Sequence, residues 1–282
     1  MSQFNLTIKP AQIEIILKPN TSYVRAYDVT NNSSETVLLS TSISPWVPAD
    51  NLGSVTYVDN SEISLDISLS NSDLKLGQDF LIKPNQKKQL VLKIKNPSSE
   101  ESDHYLTFFI SQKPLNNSVG GHQNLAKIGS HILVSTTNQK TITSNLQVSE
   151  LSVKPMIKDV FSQIEINGEI FNSGNHFSQI NGQIKIIKNG QPYSEQNLFP
   201  YTVVSQNSRL IQCLNLQDEV SPCQLKMPIW PGIYQGTIIL NGNSSKYEYS
   251  FRFLVFPYSV VIIISLFFIL LTLLLKKKIS TK

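Results

Sequence analysis

The stretch Ile63-Ser64-Leu65-Asp66-Ile67-Ser68-Leu69-Ser70 alternates an apolar side chain with a polar one along its whole length. Successive side chains of an extended strand point to opposite faces, so this pattern predicts a β-strand with one buried face and one solvated face. The same alternation recurs in two further sets, Leu90, Leu92 and Ile94, and Leu106, Phe108 and Ile110. The first half of the chain is therefore predicted to consist of half-buried strands.

Turn signals such as Asn31-Asn32-Ser33-Ser34 and Lys83-Pro84-Asn85 separate these strands at the short intervals that are typical of a β-sandwich. After the polar, Thr-rich residues 135–145, a new alternating set begins at Leu146 and contains the hairpin signal Lys188-Asn189-Gly190. These observations predict an all-β fold, with two tandem immunoglobulin-like antiparallel β-sandwich domains over residues 1–140 and 141–252.

An uncharged apolar run over residues 253–275 ends at Lys276, Lys277 and Lys278. As a helix with a rise of 1.5 Å per residue, the run would be about 34 Å long, enough to cross a hydrocarbon core of about 30 Å. The alternative, a buried core helix, is usually shorter and carries a polar stripe. We therefore predict a single C-terminal transmembrane helix.

The charges that flank this run predict its orientation. Lys276, Lys277 and Lys278 begin a basic tail, residues 276–282, whereas the preceding side offers only Arg252 and Lys246 nearby. Basic residues are retained on the cytoplasmic side of a membrane, so we expect a cytoplasmic tail and an extracytoplasmic location for everything before residue 253. The first residues show no signal peptide. Either the natural start lies upstream, or Met1 precedes a mature terminus, or the protein is tail-anchored, which the positive-inside bias disfavours.

The chain of 282 residues has a formal net charge of +4, and the lysines of the tail contribute to that excess. The part before the apolar run is close to neutral and lacks a basic stripe, which argues against nucleic acid as a partner. The two cysteines, Cys213 and Cys223, are too few and too far apart for a zinc or a C-x-x-C site. Outside the membrane they are expected to form a disulfide, the alternative being two buried free thiols.

No familiar catalytic motif occurs, and the four histidines are isolated from one another and from carboxylates at metal-ligand spacing. We therefore expect a protein that is not an enzyme and that uses neither a metal nor a cofactor. Trp46 and Trp230, the two tryptophans, each lie between prolines. Such fixed aromatic side chains are candidate binding anchors, although they more often close the end of a sandwich.

The order of several short motifs resembles a known family. In the first half these are Ile8-Lys9-Pro10, Leu17-Lys18-Pro19-Asn20 and Pro45-Trp46-Val47-Pro48, and in the second half Pro231-Gly232-Ile233-Tyr234 and residues 247–253 before the apolar run. The chain resembles bacterial WxL-interacting surface proteins, with a peptidoglycan-binding-type domain followed by a host-surface-binding-type domain. Pilus-chaperone-like sandwiches are a more distant relative.

This resemblance implies a bacterial cell-surface protein, anchored in the cell membrane, that binds or scaffolds partner proteins or peptidoglycan through its β-sandwich ectodomain. Two alternatives remain. A strand-donating chaperone for the assembly of surface structures would need an accessible sheet edge in the first domain. A wall-acting hydrolase would need catalytic residues brought together from distant parts of the chain.

Overall fold

The computed structural model describes residues 5–58, 63–71, 73–114, 126–139, 142, 145–160, 162–214, 220–225, 230–243 and 245–280, with side chains up to residue 276. Contacts within the chain divide it into two compact units. The first unit comprises Met1–Ile142 with Asn175–Phe177, and the second comprises Thr143–Gly174 with Ser178–Lys282. The division after Ile142 lies near the predicted boundary at residue 140.

The described residues of the first unit form ten strands. They are β1 (Leu6–Lys9), β2 (Gln12–Leu17), β3 (Ser22–Asn31), β4 (Val37–Pro48), β5 (Val55–Tyr57), β6 (Asp66–Leu69), β7 (Phe80–Ile82), β8 (Lys87–Lys95), β9 (Ser102–Lys113) and β10 (Lys127–Thr136). One sheet has the order β1-β3-β8-β6, and the other has the order β2-β10-β9-β4-β5 with β7 also paired to β4. Both sheets bury alternate residues in one shared core, which includes Tyr27, Leu90, Phe108 and Ile132.

In the second unit, the part that the structure describes forms eleven strands. They are β11 (Leu146–Lys154), β12 (Ile157–Lys158), β13 (Ile164–Asn172), β14 (Ser178–Lys188), β15 (Gln191–Asn197), β16 (Tyr201–Val203), β17 (Asn207–Leu210), β18 (Gln212–Leu214), β19 (Val220–Leu225), β20 (Gly232–Asn241) and β21 (Lys246–Val255). Its sheets have the orders β11-β13-β19-β18, with β17 on β13, and β12-β21-β20-β14-β15, with β16 on β14. Their core includes Ile166, Ile184, Tyr234 and Phe253. The predicted all-β architecture of two sandwiches followed by one helix is confirmed.

One strand pair in each unit departs from the antiparallel pairing of the predicted sandwiches. β2 runs parallel to β10, and β12 runs parallel to β21. In both units the first strand ends at a Lys-Pro pair, Lys9-Pro10 or Lys154-Pro155, and the next short strand joins the opposite sheet. Because proline has no N–H to donate to a ladder, it favours the place where the chain leaves one sheet for the other.

Each unit also contains a fully buried asparagine at the end of a central strand. In the first unit the Asn31 amide donates to the carbonyl oxygens of Glu35, Ile82 and Lys83 at 2.7, 3.2 and 3.2 Å. In the second unit the Asn172 amide donates to the Val203 carbonyl oxygen at 3.1 Å. Buried loop carbonyls need donors, and these two amides provide them where the strand ladders stop.

The helix α1 (Tyr258–Ser280) begins later than predicted. Residues Phe253 and Val255 belong to β21, where they are buried and paired with Tyr234 and Gly232 of β20. The predicted start at residue 253 is therefore wrong, because the apolar run continues a strand before it becomes a helix. Pro257 immediately precedes α1, where its missing N–H costs no helical hydrogen bond.

Helix α1 is long and apolar enough to cross a membrane over Tyr258–Lys276, and its mean hydropathy there is 2.8. No residue of this stretch is fully buried against the described parts of the protein. The helix continues through Lys276, Lys277 and Lys278 to Ser280, so this part of the predicted tail is helical. Lysine is a good helix former and no proline or glycine intervenes, which explains the continuation. Residues 281 and 282 of the predicted tail lie outside the described residues.

Cys213 of β18 and Cys223 of β19 form a disulfide in the core of the second unit, with Cα atoms 4.9 Å apart. Both residues are fully buried. They are 10 residues apart in the sequence, so the bond closes only a short loop. The bond therefore ties two neighbouring strands and leaves the first unit unconstrained.

Reduction of this disulfide should lower the free energy of unfolding of the second unit by roughly 2–3 kcal/mol, the loop-closure entropy expected for a short loop. Hydrogen exchange in increasing urea, read separately for peptides of each unit, measures the effect with and without reductant. Peptides of the first unit serve as the internal control and should not change. Two free thiols by mass spectrometry of the unreduced protein from its native compartment would contradict the bond.

Candidate functional site

The outer face of the larger sheet in the first unit carries a second apolar cluster, separate from the core. Along β9, Leu106, Phe108 and Ile110 point into the core. The alternate residues Tyr105 and Phe109 point to the other face. Phe109 is nevertheless only 6% exposed. β9 therefore has apolar side chains on both faces, and those on its outer face are buried by residues outside the core.

Aromatic rings from four strands form this cluster, which we call the outer aromatic cluster: Trp46 of β4, Tyr57 of β5, Tyr105 and Phe109 of β9, and His131 of β10. The Trp46 ring stacks on Tyr105 with centroids 5.1 Å apart and meets His131 edge-on at 5.4 Å. Tyr57 meets Phe109 edge-on at 4.9 Å. These distances are within the range in which aromatic pairs attract each other.

Trp46 is only 7% exposed, and its indole N–H donates to the Leu106 carbonyl oxygen at 3.0 Å. Its ring therefore packs within the outer aromatic cluster instead of projecting from the surface. Trp230, by contrast, is 70% exposed and is available for contact.

Two polar contacts complete the cluster. A hydrogen bond of 2.9 Å joins Thr107 Oγ1 and His131 Nδ1. Burial lowers the pKa of His131 below its usual value, which favours the neutral ring at neutral pH. Lys127 places its Nζ 3.5 Å from the centroid of the Phe109 ring, a cation–π contact at the exposed end of β10.

Gly129 of β10 lies beneath two of these side chains. A Cβ atom at this position would lie 2.5 Å from Thr107 Cγ2 and 2.9 Å from the Phe109 ring. Only glycine leaves room for the ring to cover the strand at this point.

The part of β10 next to the cluster is an open sheet edge. β2 pairs with His131–Thr136 of β10, and among the described residues no strand pairs with 127–130 on that side. β1 comes near β10, but its ladder hydrogen bonds go to β3. The described structure therefore leaves one end of β10 with a ladder on only one side.

The direction of the free backbone groups follows from two hydrogen bonds. The Ala126 carbonyl accepts from Gln112 N beside β9, whereas His131 N donates to Ala11 on the β2 side. Because backbone groups alternate between the two sides of an antiparallel strand, the N–H and C=O groups of Lys127 and Gly129 point to the open side.

Sequence reasoning selected Trp46 but missed the other members of the outer aromatic cluster, Tyr57, Tyr105, Phe109 and His131, and it missed Lys127 on the Phe109 ring. The available signal was the alternation in β9, where Tyr105 and Phe109 occupy positions expected to be polar.

The other residues selected from the sequence lie elsewhere: Cys213 and Cys223 are in the core of the second unit, and Lys276 is exposed on α1. Within the described ranges, no group of three or more His, Cys, Asp or Glu could hold a metal ion. That the protein is not an enzyme stays a prediction.

No family model and no curated protein matches this sequence. Among solved structures, the class 5 fimbriae chaperone CfaA is similar at 12% identity and a TM-score of 0.43, over 90% of this chain and 100% of that one. The E. coli chaperone DraB is 10% identical, with a TM-score of 0.39 over 87% and 98% of the two chains. The Pseudomonas aeruginosa CupB2 chaperone is 10% identical, with a TM-score of 0.37 over 84% and 95%. Similarity at this level is too low to transfer a function or a site.

Replacing Gly129 with alanine should destabilise the first unit by about 1–2 kcal/mol. Overpacking against Thr107 and Phe109 outweighs the smaller gain that alanine brings by restricting the unfolded chain. The additional change Thr107→Ser removes the nearest methyl group and should restore part of the loss, relative to Thr107→Ser alone. Urea unfolding followed by hydrogen exchange in first-unit peptides measures all four proteins. A Gly129→Ala protein as stable as the parent would contradict this packing.

Proposed function

We propose that the protein is a membrane-anchored, extracytoplasmic binding protein that holds a partner polypeptide at the open edge of β10. The observation that carries this proposal is the segment 127–130 beside the outer aromatic cluster, which pairs with β9 but, among the described residues, with no strand on its other side. A partner chain that adds a strand there would satisfy the free backbone groups of Lys127 and Gly129. The neighbouring aromatic rings would offer contacts to its side chains.

The anchor in this proposal is α1. From Val261 to Lys276 its side chains are exposed around the whole helix, without the polar stripe of a helix that packs on a soluble domain. In water this arrangement would be strongly unfavourable, whereas lipid would cover it. Lys276, Lys277 and Lys278 follow the apolar part, which favours a cytoplasmic C-terminus and two extracytoplasmic units.

This topology is tested by adding protease to intact cells or spheroplasts that carry a C-terminal epitope. Both units should be degraded, while a membrane-embedded fragment with the epitope survives. A cytoplasmic control protein shows that the membrane is sealed. Full protection of both units would mean that the bulk of the chain is cytoplasmic.

The open edge also supports a second candidate, a chaperone that pairs a strand with subunits before they are assembled into a surface structure. An accessible edge in the first unit is what this function requires. The two candidates differ in the lifetime of the complex, because a chaperone must release its partner and a scaffold must retain it. Binding to peptidoglycan and membership of the WxL-interacting family stay predictions.

A pair of variants at Lys127 separates backbone pairing from side-chain contact. Lys127→Ala and Lys127→Pro both remove the ammonium group, but only proline removes the N–H that faces the open edge. Neither change removes a ladder bond to β9, because this residue points its N–H away from that strand. Both proteins should therefore fold.

Affinity purification of the full-length protein from its native membranes should recover a stoichiometric polypeptide with the parent protein and with Lys127→Ala, but not with Lys127→Pro. Purified cell wall, incubated with the same three proteins, tests the polymer as ligand. Equal recovery of the polypeptide with Lys127→Pro would rule out strand addition at this edge. Retention by the wall alone would replace the polypeptide with the polymer as the ligand.

A further inference from the structure

The sheet β12-β21-β20 of the second unit ends in a row of exposed apolar side chains. The strand register aligns Ile157, Leu254 and Ile233 across three adjacent strands, so their side chains point to the same face. They are 56%, 36% and 71% exposed. The next aligned pair, Lys158 and Val255, points to the opposite face of the sheet and is buried. The outward row is therefore apolar at a position where a solvated sheet would carry polar residues.

Three further exposed apolar residues lie within three residues of this row along the chain, and we call the set of six the apolar foot: Met156, Ile157, Trp230, Ile233, Leu254 and Phe256. Met156 is 73% exposed and accepts a hydrogen bond from Leu254 N at 3.1 Å. Trp230 is 70% exposed and lies two residues before β20, where its carbonyl accepts from Tyr234 Oη at 2.8 Å. Exposed apolar surfaces of this kind mark interaction sites.

The apolar foot adjoins the first turn of α1. Phe256 N donates to the Lys158 carbonyl at 2.7 Å, and the Asp159 carboxylate accepts from Ser259 N at 3.1 Å at the start of the helix. Val260 packs against the core of the second unit. Leu254 is four residues before Tyr258, a separation of at most about 14 Å. No flexible linker separates the foot from the helix, so a bilayer that contains α1 must lie close to the foot.

The apolar part of α1 is short for a membrane span, which brings the foot closer to the bilayer. Its apolar part, from Tyr258 up to Lys276, is about 27 Å long at 1.5 Å per residue. A typical hydrocarbon core is about 30 Å thick. A span shorter than the core draws its flanking residues toward the membrane, and tryptophan and tyrosine are favoured at that depth. Trp230, Phe256 and Tyr258 are the residues that this shortfall places at the boundary.

We propose that the apolar foot is embedded in the interfacial layer of the same bilayer that α1 spans. The second unit then rests on the membrane through three sheet strands and the adjoining loop residues in addition to its helix. The occupant of this surface is lipid, because the foot is continuous with the lipid-facing surface of α1. The inference depends on α1 spanning a membrane, but it does not depend on which partner the first unit binds.

The test uses the full-length protein in nanodiscs made either of a plain phosphatidylcholine or of the same lipid brominated near the headgroup end of its acyl chains. Bromine quenches tryptophan fluorescence at short range, and the chain has two tryptophans, Trp46 and Trp230. Brominated lipid should reduce the fluorescence of the parent protein. Trp230→Phe should abolish that loss, because Trp46 is buried in the first unit. Equal fluorescence of the parent protein in both lipids would overturn the proposal.

A matched pair of charge substitutions tests whether the foot as a whole is embedded. Ile233→Glu places a carboxylate in the foot, and Val220→Glu places one on β19, where Val220 is 44% exposed and is not part of the foot. Ile233→Glu should weaken the quenching of Trp230 and shift its emission to longer wavelength, whereas Val220→Glu should change neither. Because both residues are exposed, the second unit should remain folded, which its hydrogen exchange checks.

Two outcomes would assign the foot to another occupant or remove the basis of the proposal. Emission of Trp230 at short wavelength without quenching by brominated lipid would mean that protein covers the foot, such as a second copy of the chain. Failure of the protein to remain in nanodiscs would show that α1 does not span the bilayer. The second result would also refute the anchor in the proposed function, whereas the first would leave that anchor intact.

Discussion

The pairing of β21 with β20 as far as Val255 is the constraint on which the membrane end of this protein depends. This ladder keeps Phe253 and Val255 in the core of the second unit and leaves Phe256 and Pro257 between strand and helix. Helix α1 therefore starts five residues later than the apolar run itself. The same ladder turns Leu254 outward, into the row that it forms with Ile157 and Ile233. The shorter helix and the exposed row thus have one cause.

The same crossing of the chain from one sheet to the other shapes both candidate surfaces. In each unit the chain leaves its first strand at a Lys-Pro pair and adds a short parallel strand to the opposite sheet. In the first unit that strand, β2, covers β10 only from His131 onward and leaves an open edge. In the second unit it is β12, which covers only the last residues of β21 and brings Ile157 beside Leu254. Short crossover strands leave sheet edges incomplete, and incomplete edges are where partners can add.

The two surfaces differ in the partner that their chemistry favours. The edge of β10 offers free backbone groups beside aromatic rings and a lysine, which suits an extended polypeptide. The apolar foot offers exposed apolar side chains, and Leu254 at its centre is already paired on both sides, with Ile157 and with Ile233. Burial of such a surface is favourable through the hydrophobic effect alone, so lipid can cover it without making hydrogen bonds to it.

The sequence alone determined the strands, their buried faces and the apolar run with its lysines, because these depend on alternation, length and charge within one segment. It also selected Cys213 and Cys223 from their number and spacing. Tertiary structure decided everything that depends on which strands become neighbours: the two parallel pairs, the open end of β10 and the burial of Trp46 beneath Tyr105 and His131. The end of β21 was likewise decided by the tertiary structure. Phe253, Leu254 and Val255 are apolar enough for a strand or a membrane helix, and only their pairing with β20, a partner distant in sequence, makes them a strand.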